Sequence, residues 1–241
     1  RLVGWIARIR MFLHSTVITL LPFLIAMSSS MFDMFLIMIH HLKMVYNYIK
    51  RLMAYFYKQM SNARTQIFGK RPITNLRKAV SEWLNNKNNA ENTWGPIRKW
   101  DVSNFSDMSG MFKGASSFNE DLSGWNVSEV TNMSEMFMGA SSFDQNISEW
   151  NVSQVTDMNR MFRGARSFNQ NISGWTVSNV TDMNRMFNGT VKFNEPLNGW
   201  TVSNVTNMYG MFAGASSFNR DIHGWNVRKV TDMQSMFNGA V

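Results

Sequence analysis

Tryptophan stands at positions 100, 125, 150, 175, 200 and 225, a fixed period of 25 residues with no insertion or deletion. Every other marked position keeps that register. One unit reads W-x-V-S-x-V-T-D/N-M-x-x-M-F-x-G-A-x-x-F-N-x-x-I-x-G/E. Five complete units fill residues 100–224, and a sixth breaks off at Val241, its seventeenth position. A unit of this length cannot bury its apolar face alone and must lean on its neighbours, so the period predicts an array of near-identical stacked coils.

Within one unit the Val and Met positions recur about every three residues, followed at once by Phe. Neither a helical stripe of 3.6 nor strict alternation fits that spacing. It predicts a solenoid whose coil makes several turns. Each coil is expected to hold a short strand over V-S-x-V-T and a single helical turn over M-x-x-M-F. The glycine at 114, 139, 164, 189, 214 and 239 is expected to end that turn with positive φ. Met158, Met161 and Phe162, repeated as Met183, Met186 and Phe187, are then interior wall. A Met-x-x-Met pair suits Cu(I), but its lock-step with Trp, Val and Phe in all six units favours core packing. Asn119, Asp144, Asn169, Asn194 and Asn219 form a column that can hydrogen-bond along the stack. Neutral Asn in that column weakens a Ca²⁺ reading.

Residues 72–99 read as an N-terminal capping helix and turn. "TNLRKAVSEWL" places Leu76, Ala79, Val80, Trp83 and Leu84 on one face, with Thr74 as the expected N-cap. "WGPIRKW" leads into the first coil. The last coil, with Met233, Met236 and Phe237, is expected to be bare unless further chain or a partner covers it.

The part before the repeats has a different chemistry. Residues 1–99 carry 15 Lys/Arg against 3 Asp/Glu, a net +12, while residues 100–241 carry 9 against 13, a net −4. From Ser15 to Phe32 no side chain is ionisable. At about 1.5 Å per residue that stretch would span roughly 27 Å, close to a hydrocarbon core. Residues 1–41 are therefore expected to form a membrane anchor: one transmembrane helix through Ser15, Leu20, Leu21, Pro22, Phe23 and Phe32, or a hairpin broken at Ser28-Ser29-Ser30. A signal peptide cleaved near "AMS" at 26–28 is a third reading. Residue 1 is Arg, so sequence upstream of it is expected.

Residues 42–71 follow as a basic amphipathic helix and linker. Lys43, Lys50, Arg51 and Lys58 are interspersed with an apolar and aromatic stripe, which suits an anionic membrane interface or a partner protein. His40 and His41 offer axial ligands to a metal or porphyrin, but paired His at such a boundary are more simply interfacial.

The repeat closely resembles the BspA-like leucine-rich-repeat surface proteins, and "LRKAVSEWL…WGPIRKWDVS" resembles the segment that precedes their repeats. The likeness covers residues 72–241. It implies an LRR-like fold and a non-enzymatic role in adhesion or protein binding in bacteria and unicellular eukaryotes. Residues 1–71 lie outside it, and the fourth and sixth repeats depart from it at Thr190-Val191-Lys192, Pro196, Arg228 and Lys229.

No Ser-His-Asp set, metal-ligand spacing or phosphate-cradling loop is evident, so no catalytic, cofactor or metal residue is assigned and no small-molecule substrate is expected. Cysteine is absent, which removes disulfides and thiolate metal sites. The net-negative repeat half disfavours nucleic acid. Specificity is expected at the variable positions, above all Arg160, Arg163, Arg166 and Arg185, a basic patch suited to an acidic partner. Two functions fit: a membrane-anchored scaffold acting as accessory subunit of a larger complex in an organellar (thylakoid or mitochondrial) membrane, or a tethered cell-surface adhesin. Nine N-x-S/T sequons, at Asn104, Asn126, Asn132, Asn146, Asn151, Asn171, Asn179, Asn188 and Asn204, come mostly from the repeat itself and do not decide between them.

Overall fold

Alternate backbone amides of each repeat do two different jobs. Met108, Gly110, Phe112 and Gly114 donate to the carbonyls of Asn132, Ser134, Met136 and Met138 in the following coil, at 2.7–2.9 Å. Between them, Met111, Lys113 and Ala115 donate back three residues within their own coil, to Met108, Gly110 and Phe112. The chain thus turns at every third residue while staying hydrogen-bonded to its neighbour, and both methionines and the phenylalanine face inward. We refer to residues 100–124, 125–149, 150–174, 175–199, 200–224 and 225–241 as coils 1 to 6. The computed structural model describes residues 29–68 and 72–240, with the side chains of 34, 36–56 and 72–240. The chain divides into two units, Arg1–Ile67 and Phe68–Val241, which are taken separately below.

This hydrogen-bond scheme overturns the expected fold class. Among the described residues no coil contains a β-strand or a helix. Parallel pairing is confined to single bridges between residues 25 apart, from Asp107 with Asn132 to Asn207 with Asp232. A strand needs consecutive residues extended, and over V-S-x-V-T the turn bonds from Phe105 N to Val102 O at 3.1 Å and from Val130 N to Val127 O at 3.0 Å prevent that. The coils are instead built from turns and held in register by columns. Thr156 N donates to Thr131 O at 2.8 Å and Thr181 N to Thr156 O at 2.9 Å. The expected Asx column forms: Asn119 Oδ1 accepts from Asp144 N at 2.9 Å, and Asp144 Oδ1 from Asn169 N at 2.9 Å.

The interior is a set of aligned rings. Phe112, Phe137, Phe162, Phe187, Phe212 and Phe237 stack with centroids 5.5–5.7 Å apart. Each of the first five packs within its own coil on a second Phe at 3.9–4.2 Å. The paired methionines of coils 2–5 and the two valines of each V-S-x-V-T segment there are buried around them, while Val191 of coil 4 lies outside. Gly139 sits at φ 73, and a Cβ there would lie 3.6 Å from Gly114 Cα, so the glycine column provides both the left-handed turn and the close approach of coils. Thr190 takes the Ala position of coil 4 and is wholly buried, its hydroxyl donating to Phe162 O at 2.8 Å. At the last coil, Met233 and Phe237 are 42% and 46% exposed.

The first coil is covered by α2 (Leu76–Asn85) and α3 (Lys87–Trp94), followed by a 3-10 turn at Ile97–Lys99. The N-cap of α2 is Asn75, accepting from Lys78 N at 2.9 Å, rather than Thr74. Leu76, Ala79, Val80 and Trp83 are buried, while Leu84 is left outside. Trp83 meets Trp100 edge-on at 5.6 Å.

In the other unit, α1 runs without interruption over Ser29–Phe68, across the expected boundary at residues 41 and 42; it begins within the expected break at Ser28-Ser29-Ser30, whose first residue lies outside the described ones. No helix among the described residues is long and apolar enough to cross a membrane. α1 carries Asp33 in its second turn and reaches His40, His41 and Lys43 after about three turns, so a span running through it would have to bury them. Ser15, Leu20, Leu21, Pro22 and Phe23 lie outside the described residues; Phe32 is placed only by its backbone in α1. The transmembrane expectation is corrected accordingly: what the structure shows is an exposed helix whose cations begin where the span would have continued.

Candidate interaction surface

Apart from Thr190, near-uniform apolar columns fill the inside of the stack, so most chemical difference between coils lies on the outside. One outer column carries a conformational signature. Gly110, Glu135, Arg160, Arg185, Gly210 and Ser235 occupy the same register, and all have positive φ, between 51 and 59. Two coils use glycine there, which accepts the left-handed region freely. Coils 2, 3 and 4 place long charged side chains in it, at a cost on the order of 1 kcal/mol each. Strain kept at successive coils points to what those side chains reach rather than to folding.

They reach in opposite directions. Glu135 receives Lys113 Nζ at 2.6 Å and Arg160 Nη1 at 3.1 Å, so one carboxylate serves two cations. The bond from Lys113, aided by Arg160, holds the Glu135 carboxyl below its ordinary pKa against a burial effect of opposite sign. Arg185 turns the other way, its guanidinium 4.7 Å from the centre of the Tyr209 ring. Gly210 makes room for it, since a Cβ there would meet Arg185 Cγ at 3.4 Å. Arg163 Nε donates to Asn188 Oδ1 at 3.3 Å, a neutral partner. Arg166 and Lys192 are exposed, and Arg166 O accepts from Lys192 N at 3.2 Å. None of Arg163, Arg166, Arg185 and Lys192 pairs with a carboxylate among the described residues.

Beside this column the polar accounting is incomplete. Arg160 Nε, Asn159 Oδ1 and Asn184 Oδ1 are buried without a hydrogen-bond partner, all in coils 3 and 4. Asp157, two residues before Asn159, has its pKa raised, chiefly by burial and further by the charges of Asp182 and Glu135, against the Asn159 backbone N–H that favours its ionised form.

Of the four arginines singled out from the sequence, Arg160 and Arg185 share the outer column, and Arg163 and Arg166 lie three and six residues further along coil 3; Arg160 is compensated by Glu135 and the other three have no carboxylate partner among the described residues. Sequence reasoning missed Lys113, Glu135, Lys192 and Tyr209. The signal for the column was present in Gly110 and Gly210, which share a register with Glu135, Arg160 and Arg185. Lys43, Lys50 and Arg51 are exposed on α1, and Lys58 belongs to the same helix by its backbone. His41 Nδ1 donates to Ile37 O at 2.9 Å, which leaves only its other ring nitrogen for a ligand. A cleft of about 290 Å³ between α2 and coil 1 is lined by Arg77, Ser81, Leu84, Asn85, Gly110 and Met111. Arg77 there is already held by Asp107 and Ser109. Among the described residues no group of three His, Asp or Glu is placed to hold a metal ion.

A family model described as "Mycoplasma protein of unknown function, DUF285" matches residues 59–183 and, again, 145–241. No curated protein and no solved structure matches the chain.

Proposed function

Since the chain belongs to the DUF285 family, we propose that its stack of coils is a non-enzymatic protein-binding scaffold, working at a membrane as accessory subunit of a larger assembly. One observation carries this reading: the coils keep a near-uniform interior and spend their variation on the outside, where the strained column holds Arg160 paired with Glu135 and Arg185 with no carboxylate partner, and coil 3 adds Arg163 and Arg166, also without one among the described residues. A catalytic site needs convergent groups, whereas this surface offers repeated, parallel ones, which suits an extended partner. The resemblance of the repeat to BspA-like surface proteins supports a binding role. The basic helix α1 supports the membrane setting.

The test is co-purification of the intact chain from native membranes, with and without the triple change Arg163→Ser, Arg166→Ser and Arg185→Ser. Loss of the co-purifying partner in the variant, with the stack still folded, supports the scaffold; unchanged association removes the patch from it. A second reading, a tethered adhesin, draws on exposed sequon residues such as Asn126, Asn146, Asn151 and Asn171. Protease treatment of intact cells separates the two: repeats cleaved from outside favour the adhesin, and repeats protected until the membrane is opened favour the scaffold.

A further inference from the structure

We propose that α1 lies in the plane of an anionic lipid surface, with its tyrosines at the two borders between headgroups and hydrocarbon. The inference rests on the membrane setting of the reading above and goes beyond it by naming the lipid chemistry and the bound geometry. At roughly 100° per residue, His40, Lys43, Asn47, Lys50, Arg51 and Ala54 share one stripe of the helix. Leu42, Val45, Ile49, Leu52, Met53 and Phe56 fall on the opposite side, and each is exposed. The apolar sector covers about half the circumference, as an in-plane helix requires.

Two details choose lipid over a protein groove. First, no Asp or Glu occurs from residue 34 to residue 81. From His40 to Ala54 the stripe therefore carries no acid, Asp33 near the start of α1 being the one carboxylate of the helix, and such a stripe fits a uniformly anionic sheet better than a mixed protein surface. Second, Tyr46 lies at one edge of the apolar sector, and Tyr48 and Tyr55 lie at the other, all more than half exposed. A ring at such an edge can put its body in hydrocarbon and its hydroxyl among headgroups. His41 falls inside the apolar sector, and the bond from its Nδ1 to Ile37 O lowers the cost of placing it there. Met44 sits just within the polar edge, and Leu36, about five turns before Ala54, lies on the polar stripe itself; both are long apolar side chains out of place.

The chain has no cysteine, so single labels can be introduced cleanly into the full chain. Environment-sensitive fluorophores at Ile49→Cys and Phe56→Cys should shift to the blue, and be quenched by lipid-borne quenchers, when phosphatidylglycerol is added to phosphatidylcholine vesicles. The same label at Asn47→Cys should stay in water. Reversing Lys43, Lys50 and Arg51 to Glu should weaken the response at position 56 on the order of 100-fold in lipid concentration, and high salt should do the same. The apolar residues before α1 could partition by themselves, so the position-resolved signal decides, not total binding. Equal signals at 47 and 49, equal response to neutral vesicles, or no response to lipid at all overturns the proposal. None of these outcomes touches the arginine patch, so the scaffold reading stands or falls separately.

Discussion

The indole Nε1 of Trp150 donates to the backbone carbonyl of Leu122 at 3.2 Å, 28 residues earlier and one coil back. That carbonyl also accepts from Trp125 N at 3.0 Å, so a single oxygen closes a turn in its own coil and ties down the next. The pairing recurs for Trp175 with Ile147, Trp200 with Ile172 and Trp225 with Leu197. Trp100 has no coil behind it, and Gly95 O in the lead-in supplies its acceptor at 2.9 Å. The tryptophan period is thus a period of hydrogen bonds as well as of bulk.

Trp150→Phe should keep the fold and lose the indole bond, while Leu122 O retains its other donor. The expected cost is about 1–2 kcal/mol, one hydrogen bond plus some buried area. Trp150→Ala also opens a cavity and should cost about 3–5 kcal/mol. Urea denaturation of both variants checks the order; equal costs would mean the indole bond contributes nothing.

Gly124, Gly174 and Gly224 share one register, yet alanine should be tolerated unequally among them. A Cβ at 124 would collide with the carbonyl oxygen of Arg98, whereas at 174 and 224 nothing lies within 4 Å. Gly174→Ala should change stability by no more than about 0.5 kcal/mol. Gly124→Ala should cost several-fold more and loosen the lead-in, seen as faster amide exchange at residues 97–100. Similar costs at both sites would show that Arg98 does not sit against coil 1.

Arg185→Gly should stabilise the stack by about 1 kcal/mol through release of left-handed strain, less the lost stacking on Tyr209. Gly110 and Gly210 show that the register accepts glycine. If the column is kept for binding, the same variant should hold its acidic partner less well. A rise in thermal midpoint with weaker partner retention is the expected pair of results. A fall in the midpoint would mean that Arg185 is there for the fold.

The interior was legible because it obeys a strict register. Met158, Met161 and Phe162 could be placed inside from period alone, since a copied residue type at a fixed spacing implies a copied environment. What the residues form locally was not legible. A Val every third residue reads equally as a strand edge or as a turn, and only the amide directions at Val130 and Val155, which donate back to Val127 O and Val152 O, decide it. The N-cap slipped by one residue for a similar reason, because Thr74 and Asn75 offer the same kind of oxygen. The run from Ser15 to Phe32 looked like a span by length and lack of charge, but α1 takes only about one turn from that run, Ser29 to Phe32, and its middle from His40 to Arg51. At the arginine patch the charges were visible in the sequence, whereas the pairing of Arg160 with Glu135 needed the coil spacing in three dimensions.

Asp157→Asn should stabilise the stack at neutral pH. The Asp157 pKa is raised, chiefly by burial and then by the like charges of Asp182 and Glu135. For an acid whose folded pKa lies above its unfolded value, the folded state disfavours the ionised form. The native chain therefore carries a cost above the folded pKa, and that cost disappears as pH falls below the unfolded value of about 3.9. Asparagine should remove the cost without losing the turn, because Asn132 and Asn207 already occupy this column and accept from Ser134 N at 2.9 Å and Tyr209 N at 3.1 Å. The variant should melt above the native chain at pH 7 and level with it near pH 3. A midpoint unchanged or lowered at pH 7 would mean that the Asp157 carboxylate is compensated there, and the three unpartnered atoms at Asn159, Arg160 and Asn184 would be the first place to look for what compensates it.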